Sequence, residues 1–86
     1  MRDELLTVLM EECAEVIVEC SKIIRFDNDG EALAKELGDL YAMVELAQKA
    51  DLITWQDIEQ QIPRKLNKLR SWSKLGELID EIQTDD

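Results

Sequence analysis

Apolar residues recur every three or four positions along most of this chain. Between Arg2 and Phe26 they fall at Leu5, Leu6, Leu9, Cys13, Val16, Ile17, Cys20, Ile23 and Ile24, the spacing of one buried helical face. Asp27-Asn28-Asp29-Gly30 breaks the pattern with turn formers. It lacks the alternating ligands and closing Glu of a calcium loop and reads as a turn. Asn28, with Glu31 three residues on, predicts a capping box for a second helix from Glu31 to about Ala50. Leu33, Leu37, Leu40, Met43, Val44 and Ala47 form its periodic face. Thr54 and Asp57 predict another helix start, giving a short helix from Trp55 to Gln61. Pro63 then suits the first position of a last helix running to about Leu75. Gly76 ends or weakens it, and Glu77 to Asp86 is expected to be an acidic, fraying tail. No repeat or linker appears, and the expectation is one all-α domain over residues 1–86.

Acidic residues interrupt these faces in a regular way. On a wheel of about 100° per residue, Glu15 and Glu19 lie within about 60° of Glu12, together with Leu5, Val8, Val16 and Ile23. Around Glu36 the same construction gathers Asp39, Ala32, Leu33, Leu40, Met43 and Ala47. Each helix thus carries two acids, three residues apart, in the stripe that should seal it against a neighbour. The short turn makes the two helices antiparallel neighbours. The offsets of the pairs from that turn do not match, so long side chains and a tilted crossing would have to bring them together. Four carboxylates meeting there would repel, and a divalent cation would relieve the repulsion. Oxygen-only ligation favours a hard ion, Mg²⁺ or Mn²⁺.

Charge and composition narrow the chemistry further. Eighty-six residues with 45% hydrophobic content form one small domain. A chain of this size buries only about 60% of its unfolded surface, so a thin core favours self-association. A net charge of −10 argues against a general nucleic-acid or anionic-membrane binder. With no histidine, His-based catalysis and His-containing iron sites are excluded. Cys13 and Cys20, seven residues apart on a helix, lie about 10 Å apart, beyond disulfide reach within one chain. They read as buried thiols. With no signal peptide and no long uncharged apolar run, a reduced cytoplasmic setting is expected.

The acids also carry a resemblance. Glu11-Glu12-Cys13-Ala14-Glu15 and Glu36-Leu37-Gly38-Asp39, separated by twenty residues, match an E-E-x-x-E … E-x-x-D pattern. It resembles the signature of the MazG-like all-α nucleoside triphosphate pyrophosphohydrolase superfamily, which includes dimeric dUTPases and phosphoribosyl-ATP pyrophosphatase. The flanks, Glu12-Cys13-Ala14-Glu15-Val16, Ser21 to Phe26 and Glu36 to Leu40, resemble small, phage-type MazG-like proteins. The likeness covers about residues 5–72.

This resemblance implies Mg²⁺ bound by Glu12, Glu15, Glu36 and Asp39, with Glu11 as a further candidate to orient water or substrate. It implies hydrolysis of a nucleoside triphosphate to the monophosphate and pyrophosphate. Half of the ten basic residues fall between Arg64 and Lys74. Lys65 and Lys68, three apart on one helical face, resemble the basic residues that the family uses to hold phosphates. Arg25 is another candidate for that role, and Trp72 for base stacking, although both tryptophans also suit a core or an interface. Many relatives have a helix before the first motif. Here the motif begins ten residues from Met1, so base recognition is expected from elsewhere, such as a partner subunit.

The resulting expectation is a helical hairpin with short C-terminal helices, whose four-helix-bundle core is completed in a homodimer or homotetramer. Its partner is a nucleoside triphosphate rather than nucleic acid or membrane. Two alternatives stay open: a dUTPase-like or phosphoribosyl-ATP-type pyrophosphatase, and a non-enzymatic acidic helical interaction module whose acids are solvated edges.

Overall fold

A computed structural model describes residues 1–83. These form four α-helices: α1 Arg2–Phe26, α2 Glu31–Lys49, α3 Trp55–Trp72 and α4 Gly76–Gln83. No strand occurs among the described residues, so the chain is all-α, as its periodicity requires. No described helix is long and apolar enough to cross a membrane. The helices form two compact units, Met1–Ile53 and the segment from Thr54 on.

In the first unit α1 and α2 form a hairpin. Helix α1 ends where Asp27 adopts a left-handed conformation, φ 55°, and donates its backbone N–H to the Ile23 carbonyl at 2.9 Å. Asp can take this conformation more readily than most side chains. At the start of α2 the expected Asn28 capping box does not form. Gly30 is the N-cap, and Asp29 Oδ1 accepts from the Glu31 backbone N–H at 3.1 Å. Turn chemistry displaced the cap by one residue, because an Asp carboxylate two residues back satisfies a first-turn donor equally well. Helix α2 closes with the Asp51 N–H on the Gln48 carbonyl and the Leu52 N–H on the Ala47 carbonyl, each 3.0 Å. Asp51 at φ 60° occupies the left-handed position of this Schellman arrangement.

Leu5, Met43 and Ala47 are buried together at the open end of the hairpin, with Leu6, Val8, Leu9, Ala50, Leu52 and Ile53 packed around them. Two turns nearer the linker, the same helix faces carry acids. Glu12 is seven residues after Leu5, and Glu36 is seven before Met43. Seven residues make about two turns, so the contact that buries Leu5 against Met43 also aims Glu12 at Glu36.

The mismatch in offset is real and has a source. Glu12 lies fourteen residues before the end of α1, whereas Glu36 and Asp39 lie five and eight after the start of α2. The difference of six to nine residues is about 9–14 Å of helix. That source is the four-residue linker Asp27–Gly30, which joins the two helices across this offset.

The sequence expectation that the whole α1 stripe is buried fails. Ile17 and Ile24 are 69% and 84% exposed, and Cys13 and Cys20 are exposed thiols. They point away from α2, because one neighbouring helix covers only part of so wide an apolar sector. Trp55 and Trp72 are exposed as well.

The second unit also departs from expectation. Thr54 caps α3 as its sequence suggests, with Oγ1 accepting from the Asp57 N–H at 3.1 Å. Pro63, however, does not begin a helix. It is the ninth residue of one continuous α3. Its ring removes the donor for the Glu59 carbonyl, and Glu59 is exposed, where water can take that bond. Ser73 ends α3, its N–H and hydroxyl both donating to the Leu69 carbonyl at 2.8 and 2.7 Å. Gly76 starts a helix rather than ending one, and Glu77 to Gln83 belongs to α4 instead of a fraying tail. Ile79 is buried, and Arg70 bonds Asp80 and Gln83, while Gln83 donates to Asn67 Oδ1 at 3.3 Å. The rest of the expected tail, 84–86, lies outside the described residues.

Continuity of α3 through Pro63 makes a prediction. Pro63→Ala restores a helical N–H and removes a steric conflict, and should stabilise the protein by about 1–2 kcal/mol after the added unfolded-chain entropy is subtracted. Urea unfolding measures this. A loss of stability would favour a helix boundary at Pro63.

Candidate metal centre

Glu12 from α1 and Glu36 and Asp39 from α2 each present a carboxylate oxygen, and the three oxygens lie within 4.8 Å of one another. Glu12 and Glu36 are half-buried, and Asp39 is exposed. Asp39 joins because it follows Glu36 by three residues, one turn along the same face. Three anionic oxygens from two helices at this spacing could hold a hard divalent cation. No histidine or cysteine takes part, so the chemistry of the donors fits Mg²⁺ or Mn²⁺ and disfavours softer ions.

Electrostatics give the same picture. The Glu36 carboxyl is held above its ordinary pKa, first by lost hydration at the helix contact and then by the negative charges of Asp39, Glu15, Glu12 and Glu19. Of the four acids expected to converge, the structure brings three together. Glu15 stands one turn from Glu12, exposed and outside the trio, but its charge still acts on Glu36. Glu11 is exposed beside Glu12 and outside the trio.

The expected phosphate ligands are placed as follows. Arg25, in the last turn of α1, stacks its guanidinium 4.7 Å from the centroid of Phe26. Lys65 and Lys68 are exposed on α3. The Lys65 ammonium lies 6.0 Å from the centroid of the Trp72 ring, one face of which it covers. These two lysines belong to the second unit, and the acidic trio to the first.

One neighbour of the trio was absent from the sequence-derived site. The Glu19 side chain is only 14% exposed and pairs with Lys22 Nζ at 3.3 Å. Its seven-residue spacing from Glu12 was the available signal.

The raised pKa of Glu36 has a definite sign. The folded state holds this proton more tightly than the unfolded chain, so the proton's contribution to stability is full below the unfolded value, about 4.3, and is lost as pH rises through the folded pKa. Ionised Glu36 therefore weakens the metal-free fold at neutral pH. In EDTA, Glu36→Gln should be more stable than the parent at pH 7, and the difference should shrink as pH falls toward 4.5. Urea midpoints at the two pH values test this, and a pH-independent difference would contradict it.

Comparison with protein families places a further constraint on what this centre does. The model of the MazG nucleotide pyrophosphohydrolase domain matches residues 2–74, a span containing the acidic trio, Glu11, Glu15, Arg25, Lys65 and Lys68. Curated proteins and solved structures gave no match. A match over so much of the chain, with both halves of the acidic motif inside it, establishes that this protein belongs to the MazG nucleotide pyrophosphohydrolase domain family.

Proposed function

We propose that this protein is a Mg²⁺-dependent nucleoside triphosphate pyrophosphohydrolase, converting a (deoxy)nucleoside triphosphate and water to the monophosphate and pyrophosphate. Mn²⁺ is an alternative ion. The observation that carries this reading is the trio Glu12, Glu36 and Asp39, drawn from two helices to within 4.8 Å, inside a chain of this family.

Glu12, Glu36 and Asp39 hold the ion, and Glu15, one turn from Glu12, completes the set. Bound there, the ion supplies charge neutralisation and alignment of the phosphates for attack by water. Glu11, about 100° around α1 from Glu12, orients water or substrate from the edge of the centre. Lys65 and Lys68 bind phosphate oxygens, with Arg25 next in line. Histidine is not needed, because the reaction rests on positioning and charge rather than on a neutral-pH proton shuttle.

Assembly is part of the reading. Met10, Cys13, Ile17, Cys20 and Ile24 are exposed on α1 at alternating spacings of three and four, the a/d pattern of a helix seam. A second copy covering this stripe gives a homodimer with a four-helix core, or a homotetramer built from two dimers.

Two experiments test these statements. With Mg²⁺ or Mn²⁺ and a panel of nucleotides, the parent should release pyrophosphate, and the preferred base will separate a dUTPase-like activity from a broader one. Glu12→Gln and Glu36→Gln should each lower turnover at least a hundredfold, because ligands of one ion act as a unit. Glu59→Gln, on α3, serves as the surface control. Full activity in either motif variant would exclude the metal-dependent reading. Separately, light scattering should report a dimer or tetramer for the parent and a lower mass for Ile17→Glu. A monomeric parent would remove the shared core.

A further inference from the structure

Glu19 poses a physical problem that the hydrolase reading leaves open. It lies seven residues from Glu12 along α1, hence on the same face two turns nearer the linker. Its side chain is largely covered, and its charge reaches Glu36. It is nevertheless outside the trio whose oxygens share one ligand distance. A further carboxylate beside a crowded acidic centre adds repulsion without adding a ligand to that trio.

Lys22 is the group that pairs with Glu19. Its Nζ lies 3.3 Å from Glu19 Oε2. The lysine side chain remains 47% exposed, and an ammonium has three donors, of which Glu19 takes one. Helical side chains lean toward the N-terminus, which carries Lys22 back over the turn holding Glu19 and toward Glu15 and Glu12. Glu12 and Glu19 are about 10 Å apart along the helix axis, a gap that a triphosphate chain and two long side chains can bridge.

We propose that Glu19 tethers Lys22 as a phosphate-binding group on the linker side of the carboxylate trio, where its ammonium holds the end of the triphosphate that leaves as pyrophosphate. This inference rests on the hydrolase reading and adds to it a positioning residue, Glu19, and a substrate contact, Lys22. The pairing gives a carboxylate near others a role: it fixes a long, flexible cation where an incoming polyanion needs one.

The test uses the full chain and inorganic pyrophosphate as the probe. Thermal unfolding is followed with EDTA, with Mg²⁺, and with Mg²⁺ plus pyrophosphate. Lys22→Ala should keep the rise caused by Mg²⁺ and lose most of the further rise caused by pyrophosphate. Lys22→Arg should retain both, and Glu19→Gln should keep the first and lose part of the second. In turnover, Lys22→Ala should raise KM and the inhibition constant of pyrophosphate roughly tenfold, with kcat changed much less. Because an i,i+3 ion pair whose lysine is 47% exposed contributes little stability, circular dichroism should show these variants folded.

An unchanged pyrophosphate response in Lys22→Ala would reduce the pair to a surface contact and overturn the inference. Loss of the Mg²⁺ response in Glu19→Gln, to the extent seen in Glu36→Gln, would make Glu19 a metal ligand and also overturn it. A parent with no Mg²⁺ response at all would instead refute the metal reading on which the inference stands.

Discussion

Carboxylates held at ligand distance repel one another, and a two-helix hairpin has easy ways to escape: it can slide, rotate or splay. Here those movements are opposed from the open end. Leu5, Met43 and Ala47 pack two turns from Glu12 and Glu36, on the same faces. Rotating either helix to separate the acids would also draw these apolar side chains out of their contact. The small core thus does two things at once. It joins the helices, and it holds Glu12, Glu36 and Asp39 close together in spite of their mutual repulsion. Lost hydration first, and the neighbouring negative charges second, raise the Glu36 pKa in this arrangement.

Much of this was legible in the sequence because it depends on periodicity. The limits of α1 and α2 follow from their apolar spacing and from Asp27-Asn28-Asp29-Gly30, and the acids stand out because they occupy positions where that spacing demands apolar residues. What sequence could not give was decided by competition between local and tertiary preferences. Pro63 resembles a helix start, yet an exposed carbonyl at Glu59 makes its presence inside α3 tolerable. Gly76 resembles a stop, but burial of Ile79 and the contacts of Arg70 with Asp80 and Gln83 organise a further helix beyond it. Asn28 lost the capping role to Asp29 by one position. Glu19 shared the wheel with Glu12, but only its pairing with Lys22 distinguishes it from an ordinary edge acid.

Exposure along α1 joins the two themes. A helix with α2 on one side and uncovered Met10, Ile17 and Ile24 on another has more apolar surface than a single hairpin can remove from water. The acids and the uncovered stripe lie on different sides of the same helix. A partner could therefore cover the stripe without closing the carboxylates to solvent, leaving access for a charged substrate.

Connections between helices ordinarily accept changes of length because little depends on them. The four residues from Asp27 to Gly30 are different, since they join the helices at the offset at which Glu12 meets Glu36. Removing one residue there, or adding one, would set the linker against the Leu5–Met43–Ala47 contact that holds Glu12 opposite Glu36, although no acid had been altered. The linker behaves as a spacer of defined length. In an otherwise ordinary turn, residue count becomes as much a property of the acidic trio as the carboxylates themselves.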